Sequence, residues 1–461
     1  MAQLTQIEKP EAGKKASRFD DHNPPAKELL SDCVHCGFCL PACPTYVLWG
    51  EEMDSPRGRI YMMAKASQGE ASLDDVFATH MDNCLGCMAC MTACPSGVQY
   101  NQLIESTRFQ IERHVPRSEG ESFFRRMLFA VFPYPGRLRW LAVPVFLYQH
   151  SGLESLVRSS GLLKLLPERL AAMEALLPRV SKSTFRRLPR LTSASRNSTT
   201  SAMKPTVRVG MLAGCVQQVF FQHVNQATVR VLAAEGYEVV VPPDQSCCGA
   251  LMVHCGVEQD ARAQARKLID TFENANVDYI VVNAAGCGST MKEYGHLLSD
   301  DADWSDRAKK FSAKCRDISE LLLLNPPRQT RNPLPIRVAY QDACHLRHAQ
   351  GIFDEPRSLL RGIPELQLLE IGEPNLCCGS AGVYNLLHPE PARVLGDRKV
   401  DNVLCVQPQV LVSANPGCLL QIQAGLRRRG VPEIPTFHMI ELLDASIRGL
   451  SAEMLLNRSV K

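Results

Sequence analysis

The sequence predicts an α+β multidomain chain: a mainly helical N-terminal domain, a basic helical connector, a polar linker and two repeated α/β domains. Three observations lead there. Two cysteine motifs of identical spacing lie before Tyr100, ten of the 21 residues from Ser181 to Ser201 are Ser or Thr, and the rest of the chain repeats itself strand for strand. At 461 residues the chain can build several hydrophobic cores without cross-links. The expected domains are 24–115, 116–180, 181–205, 206–330 and 331–450.

Composition narrows what the cysteines are for. Nineteen exceed ordinary usage but fall short of the density of a small disulfide-stapled secreted domain. Met1 to Lys15 is polar and charged, with no apolar run and no small-residue cleavage site, so the expected location is the cytoplasm. In that reducing compartment, closely spaced cysteines are metal ligands or redox groups. No apolar run reaches the ~18 residues of a membrane-spanning helix, which leaves peripheral contact with the cytoplasmic face of the inner membrane as the one membrane association to consider. The net charge of +3 makes no case for nucleic acid, and none is expected as a partner.

The N-terminal domain is read from Cys33-x2-Cys36-x2-Cys39-x3-Cys43-Pro44, which recurs as Cys84-x2-Cys87-x2-Cys90-x3-Cys94-Pro95. This is the spacing of bacterial ferredoxins that hold two [4Fe–4S] clusters. Three thiolates separated by two residues wrap one corner of a cube, while the fourth sits on the next helical turn and completes the other cube. By that rule Cys33, Cys36, Cys39 and Cys94 bind one cluster, and Cys84, Cys87, Cys90 and Cys43 bind the second. Pro44 and Pro95 donate no backbone hydrogen bond and steer the chain away after the crossing ligand. Zinc is disfavoured, because its sites use two separated cysteine pairs rather than a triplet. Such clusters carry one electron each, so the domain reads as a short electron relay. Arg57 and Arg59, in SPRGRIY between the motifs, either hydrogen-bond near a cluster and raise its potential or are solvated surface groups.

The connector is basic. Between Pro116 and Arg196 there are 14 Lys and Arg against 5 Asp and Glu, a local balance of +9. The same segment carries FFRRMLFAVFPYPGRLRWLAVPVFLY (Phe123 to Tyr148), with helical runs broken at Pro133, Pro135 and Pro144. Two roles fit it: contact with anionic lipid, or a helical surface that meets another subunit, the second being preferred. The Ser/Thr-rich stretch that follows cannot bury enough apolar surface to fold alone and reads as a linker.

The repeat opens with VRVGMLAGC (Val207 to Cys215) and IRVAYQDAC (Ile336 to Cys344), two apolar strands that each run into a cysteine. Cys215 is followed 32 residues later by Cys247-Cys248-Gly249, and Cys344 is followed 33 residues later by Cys377-Cys378-Gly379. Second strands, VDYIVVNA (Val277 to Ala284) and QVLVSAN (Gln409 to Asn415), end at Gly286-Cys287 and Gly417-Cys418. Helix-length amphipathic segments such as Gln259 to Ala275 alternate with them, which marks two α/β units. Ligand sites in such sheets lie at the carboxyl ends of the strands, where these cysteines converge. Adjacent cysteines are poor disulfide partners. Each quartet therefore suits an additional iron–sulfur cluster, a zinc ion, or buried free thiols, and the sequence leaves the three open. Cys255, Cys315 and Cys405 fall outside the pattern and read as ordinary core or surface thiols, and His345, His348 and His388 as structural histidines.

No dinucleotide-binding fingerprint, P-loop, Ser-His-Asp order or His-Glu-x-x-His is present in the sequence. A chain with clusters and no hydride acceptor relays electrons without oxidising an alcohol by itself, so it calls for a flavin-bearing partner.

CVHCGFCLPACPTY with SPRGRIY, CLGCMACMTACPSGVQY, GCGSTMKEYG (Gly286 to Gly295) and LCCGSAGVYNLLHPEPAR (Leu376 to Arg393) together resemble the iron–sulfur subunit of glycolate oxidase. The resemblance runs from about residue 28 to the C-terminal helix and is weakest in the connector and linker. It implies a two-cluster ferredoxin domain followed by two CCG cysteine-rich domains, with no catalytic residue on this chain. It also implies FAD-containing flavoprotein subunits that oxidise glycolate to glyoxylate, and a quinone or other acceptor for the electrons. The cluster subunits of lactate and glycerol-3-phosphate dehydrogenases are the near alternatives. A heterodisulfide-reductase-like catalyst is a further one, but its CCG motif ends in Cys-x-x-Cys, and the first of those positions is Ala284 in one half here and Asn415 in the other.

Overall fold

The computed structural model describes residues 16–185, 188–193, 207–431 and 434–457, so most of the Ser/Thr-rich linker lies outside the described residues. The chain divides into two compact units. One runs to Gly86 and resumes over Cys90–Arg117; the other takes Cys87–Ala89 and everything from Ser118 onward.

In the first unit, helices begin where the cysteine motifs stop. Helix Pro44–Trp49 starts directly on Cys43, because proline at the first helical position gives up only an N–H that the first turn leaves unpaired anyway. Ser55 opens helix Pro56–Ser67 by accepting the Gly58 N–H at 3.0 Å. Helix Pro56–Ser67 packs on the long helix Tyr100–His114, with Met63, Met81, Leu103, Ile104 and Ile111 fully buried.

The second unit opens with the connector helices Glu119–Val131, Pro135–His150, Leu153–Ser159 and Glu168–Ala175. Breaks occur at Pro133 and Pro135 as the sequence suggests, but helix Pro135–His150 runs through Pro144. The expected break there is corrected: Trp140, Val143 and Pro144 face solvent, so water can satisfy the carbonyl that loses its partner. The inner faces are docked, Leu128 against Val383 and Leu387, and Leu138 against Val219.

Two α/β layers follow. The first sheet contains β1 (Leu191–Thr192), β2 (Arg208–Met211), β3 (Glu238–Val240), β4 (Tyr279–Val282) and β5 (Cys315–Asp317) in the order β1-β3-β2-β4-β5. The second contains β6 (Arg337–Gln341), β7 (Gln367–Glu370), β8 (Val410–Ser413) and β9 (Thr436–Phe437) in the order β7-β6-β8-β9. All pairings are parallel except β1 on β3, through which the described end of the linker joins the first sheet. The buried strands β2, β4, β6 and β8 lie inside the apolar runs that the repeat identifies.

The two sheets share one core. Helix Gln222–Ala234 of the first layer packs on helix Met439–Ile447, at the end of the second, and Val224, Leu232, Val338, Ile440 and Leu443 belong to the same buried cluster. Arg230 pairs with the buried Asp444 at 2.7 Å across this contact. The α+β multidomain fold class expected from the sequence therefore stands.

Helix Met439–Ile447 is capped by His438, whose Nδ1 accepts the Ile440 N–H (3.1 Å) while Glu441 reaches back to the His438 N–H (2.9 Å). Burial pushes the His438 imidazole down to about 3. The folded chain thus keeps it neutral, whereas the unfolded chain takes up a proton near pH ~6.5. Its stabilising contribution is complete above that pH and declines on acidification towards about pH 3, by about 1.4 kcal/mol per pH unit. His438→Asn, which keeps a capping acceptor, should flatten the acid dependence of urea unfolding between about pH 7 and 4; an unchanged slope contradicts this assignment.

Candidate functional site

The first cysteine loop is irregular, turned by His35 at φ 53° and Gly37 at φ 87°. Cys33, Cys36 and Cys39 line one pocket, and Cys94, from the second motif, lines it with them, beside Cys90, Arg57 and Tyr100. This pocket is open: Cys36 is exposed, and Val34 and Phe38 beside it are 68% and 67% exposed. Arg57 braces the loop from the surface, pairing with Glu52 at 2.6 Å and donating to the His35 carbonyl at 3.1 Å.

Cys43 lies apart from that pocket. Its Sγ is buried 3.2 Å from Thr45 Oγ1 and donates to the Asp54 carbonyl at 3.6 Å. Cys84, Cys87 and Cys90 are buried as well. Cys84 Sγ accepts the Gly86 N–H at 3.4 Å and the Tyr100 O–H at 3.6 Å.

Behind this second set sits Arg59, fully buried, so the solvated alternative does not apply to it. It donates to the His80 carbonyl (2.6 Å), Asp54 Oδ1 (3.0 Å) and Thr45 Oγ1 (3.2 Å). Arg108 donates to the Met81 and Cys84 carbonyls. Burial acts to raise the Cys84 thiol, but the Arg59 and Arg108 charges, with the Gly86 and Tyr100 hydrogen bonds, bring it below the usual thiol range. Burial prevails at the first loop, where Cys39 is pushed up to about 11.

The quartets of the repeat gather at the carboxyl ends of the parallel strands. Cys215 follows β2, Cys247-Cys248 follow β3 and Cys287 follows β4; Cys344, Cys377-Cys378 and Cys418 follow β6, β7 and β8. Cys247 Sγ lies 3.5 Å from Cys215 Sγ, and Cys377 Sγ 3.9 Å from Cys344 Sγ. Hydrogen bonds among the sulfurs, together with burial, leave Cys215, Cys247 and Cys248 above the usual thiol range. In the second quartet the Cys377 thiol lowers both Cys344 and Cys378, helped by the His345 and Lys399 charges against burial. The quartets' loops touch: Ala285 N–H donates to the Ala414 carbonyl (3.1 Å) and Gly286 N–H to Asn415 Oδ1 (3.4 Å).

The donor chemistry fits iron–sulfur groups. Every candidate ligand is sulfur, N–H groups and buried cations stand behind the second loop, and all nineteen cysteines are free of disulfides. Among the described residues, no three or more Cys, His, Asp or Glu close round a single ion.

Of the remaining residues, Cys255 and Cys315 are buried and Cys405 is exposed. His348 Nε2 lies 3.2 Å from the Asn375 carbonyl, and His388 stacks on Tyr384. Sequence reasoning missed Arg108, Tyr100 and Lys399. The first two carry no local signal; Lys399 has one, since the other copy of the repeat holds Leu268 at the matching place in its helix.

Comparison with known proteins agrees with this architecture. Residues 29–98 match a 4Fe-4S dicluster domain, residues 120–177 the linker region of the glycolate oxidase iron–sulfur subunit, and residues 209–292 and 338–423 a cysteine-rich domain. A probable glycolate oxidase iron–sulfur subunit of Bacillus subtilis is 40% identical, the alignment covering 90% of this chain and 93% of that protein. The chain belongs to the glycolate oxidase iron–sulfur subunit family. The Escherichia coli glycolate oxidase iron–sulfur subunit is 34% identical over 92% of this chain and 95% of its own length. Lactate utilization protein A of an Exiguobacterium species is 30% identical, over 52% of this chain and 98% of that protein. As a member of this family, the chain is a non-flavin iron–sulfur subunit of an oxidoreductase complex and acts in electron transfer. Among the described residues no helix is long and apolar enough to cross a membrane.

Arg59→Met would leave Asp54 buried without its cation and the Thr45 and His80 acceptors without their donor. The expected cost to the N-terminal unit is about 3–5 kcal/mol, read as a lowered unfolding midpoint; a midpoint equal to that of the parent chain would show the pair to be dispensable.

Proposed function

We propose that Cys33, Cys36, Cys39 and Cys94 hold one [4Fe–4S] cluster and that Cys84, Cys87, Cys90 and Cys43 hold a second, within a ferredoxin-type domain spanning 24–115. The clusters supply one-electron transfer, from FAD on flavoprotein subunits that oxidise glycolate to glyoxylate towards a quinone-type acceptor at the cytoplasmic face of the membrane. The observation that carries this reading is the pocket that Cys33, Cys36 and Cys39 share with Cys94 and Cys90 of the opposite motif, while Cys43 lies apart from it.

The chain's own residues divide the work. Arg59, Arg108 and Tyr100 stabilise negative charge at the Cys84 loop and exclude water from it. The Cys33 loop, rimmed by Val34 and Phe38, stays accessible to another protein surface. The connector offers the partner contact: Trp140 is 81% exposed and Leu147, two turns on, 61%. Anionic lipid is the second occupant its charge suits, and flotation with liposomes at low salt separates the two.

Of the quartets Cys215, Cys247, Cys248, Cys287 and Cys344, Cys377, Cys378, Cys418, at least one is proposed to hold a further metal, an additional cluster or zinc, on the strength of their converging sulfurs. Domain boundaries at 206–330 and 331–450 give each quartet its own sheet.

Anaerobically purified chain should contain about eight irons from the N-terminal motifs, with any excess belonging to the repeat. Cys94→Ser and Cys43→Ser should each remove about four and leave a different EPR signal behind. Glycolate oxidation should require added flavoprotein; turnover by the isolated chain, or iron-free preparations, would overturn the proposal.

A further inference from the structure

The two Cys-Cys-Gly units repeat one backbone, and they differ where that backbone faces its sulfurs. Each sets a 17-residue helix behind the loop, Glu258–Asn274 in the first and Pro389–Cys405 in the second. The loop glycines seat on matching turns of these helices: a Cβ on Gly249 would meet the Ala261 carbonyl, and one on Gly379 the Ala392 carbonyl. This correspondence sets Leu268 of the first unit against Lys399 of the second. Counting from the cysteines likewise sets Val216 against His345, and Ala284 against Asn415. At all three places the first unit is apolar and the second polar.

Lys399 has no exposed surface. Its Nζ donates to the Glu373 carbonyl at 2.6 Å. The neighbouring carboxylates are engaged elsewhere, Glu373 with Arg398 and Asp342 with Arg357 and Arg347. An ammonium buried without a carboxylate carries a penalty of several kcal/mol unless another anion offsets it. Burial lowers the Lys399 ammonium, and negative charge on the Cys378 and Cys377 sulfurs, Glu373 and Asp342 acts against that. Helix Pro389–Cys405 lies directly behind them, since a Cβ on Gly396 would come within 3.5 Å of the Cys378 carbonyl.

The other two differences act in the same sense. Asn415 Nδ2 donates to Cys418 Sγ at 3.5 Å, and His345 Nδ1 lies 3.5 Å from Cys344 Sγ. Four thiolates round a [4Fe–4S]2+ core or round Zn2+ make a dianion, which an apolar interior accepts only with donors and cations beside it. At these places the second unit has a buried ammonium, an imidazole and an amide, and the first has Leu268, Val216 and Ala284, with the Gly249 N–H donating to Cys247 Sγ at 3.5 Å.

We infer that the second unit alone is built for an anionic, thiolate-ligated metal centre held by Cys344, Cys377, Cys378 and Cys418, with Lys399 as its counter-cation. Cys215, Cys247, Cys248 and Cys287 of the first unit are packed thiols. This inference rests on the reading that the repeat binds metal at all, and the experiment separates the two.

Iron, acid-labile sulfide and zinc are counted per full-length chain, purified anaerobically, for the parent protein and for two double variants, Cys344→Ser/Cys378→Ser and Cys215→Ser/Cys248→Ser. The first variant should lose all metal beyond the about eight irons of the N-terminal motifs, and the second should keep it. Iron with sulfide identifies a cluster and zinc alone a zinc site; either carries the inference. A parent chain with no metal beyond those eight irons overturns the reading that the repeat binds metal. Equal loss from both double variants overturns the asymmetry and leaves that reading intact.

Lys399→Leu installs the side chain that the first unit already accommodates. It should release the second-unit metal to a chelator about tenfold faster, with Lys399→Arg within about twofold of the parent rate. Circular dichroism and the N-terminal iron count verify that each variant folds. A folded Lys399→Leu chain that holds its metal as long as the parent removes Lys399 from the site.

Discussion

A thiolate taken out of water has to be met by N–H donors or fixed cations, and this chain meets that demand differently at each of its cysteine groups. At the Cys84 loop two guanidinium groups and a tyrosine hydroxyl do so from inside the fold. The Cys33 loop relies on solvent and on Arg57 at the surface. In the repeat, His345 and Asn415 stand at sulfurs of one quartet with Lys399 buried on the helix behind it, while the other has Val216, Ala284 and Leu268 at the matching positions. The placement of these groups decides which sulfurs can carry charge, and therefore where electrons can reside.

The repeat shows how far one backbone can be turned to two ends. Both copies use parallel strands whose carboxyl ends gather the cysteines, and both seat a Cys-Cys-Gly turn against a long helix. They are not independent modules, because helix Met439–Ile447 of the second packs on helix Gln222–Ala234 of the first and the sheets share a core. The quartets' loops are joined by hydrogen bonds from Ala285 to Ala414 and from Gly286 to Asn415. Any change at one set of cysteines is thus mechanically linked to the other.

Much of this was legible before the structure. Strands β2, β4, β6 and β8 read as short apolar runs because parallel strands are buried on both faces, and helix Glu258–Asn274 as an amphipathic segment because one face meets the sheet. Pro144 misled, since a proline on a solvent-facing turn removes one hydrogen bond without ending the helix. Of the two arginines in SPRGRIY, nothing local told the buried Arg59 from the half-buried Arg57.

The sequence by itself determined the ferredoxin-type motifs, the duplication and the family, since ligand spacing and strand patterning are properties of neighbouring residues. Only the tertiary structure decided that Arg59 and Arg108 stand behind Cys84, that Cys43 is buried against Thr45 and Asp54, and that Lys399 is fully buried with its ammonium on the Glu373 carbonyl. Burial and charge pairing are made by segments far apart in the chain, and a list of residues does not hold the distances that create them.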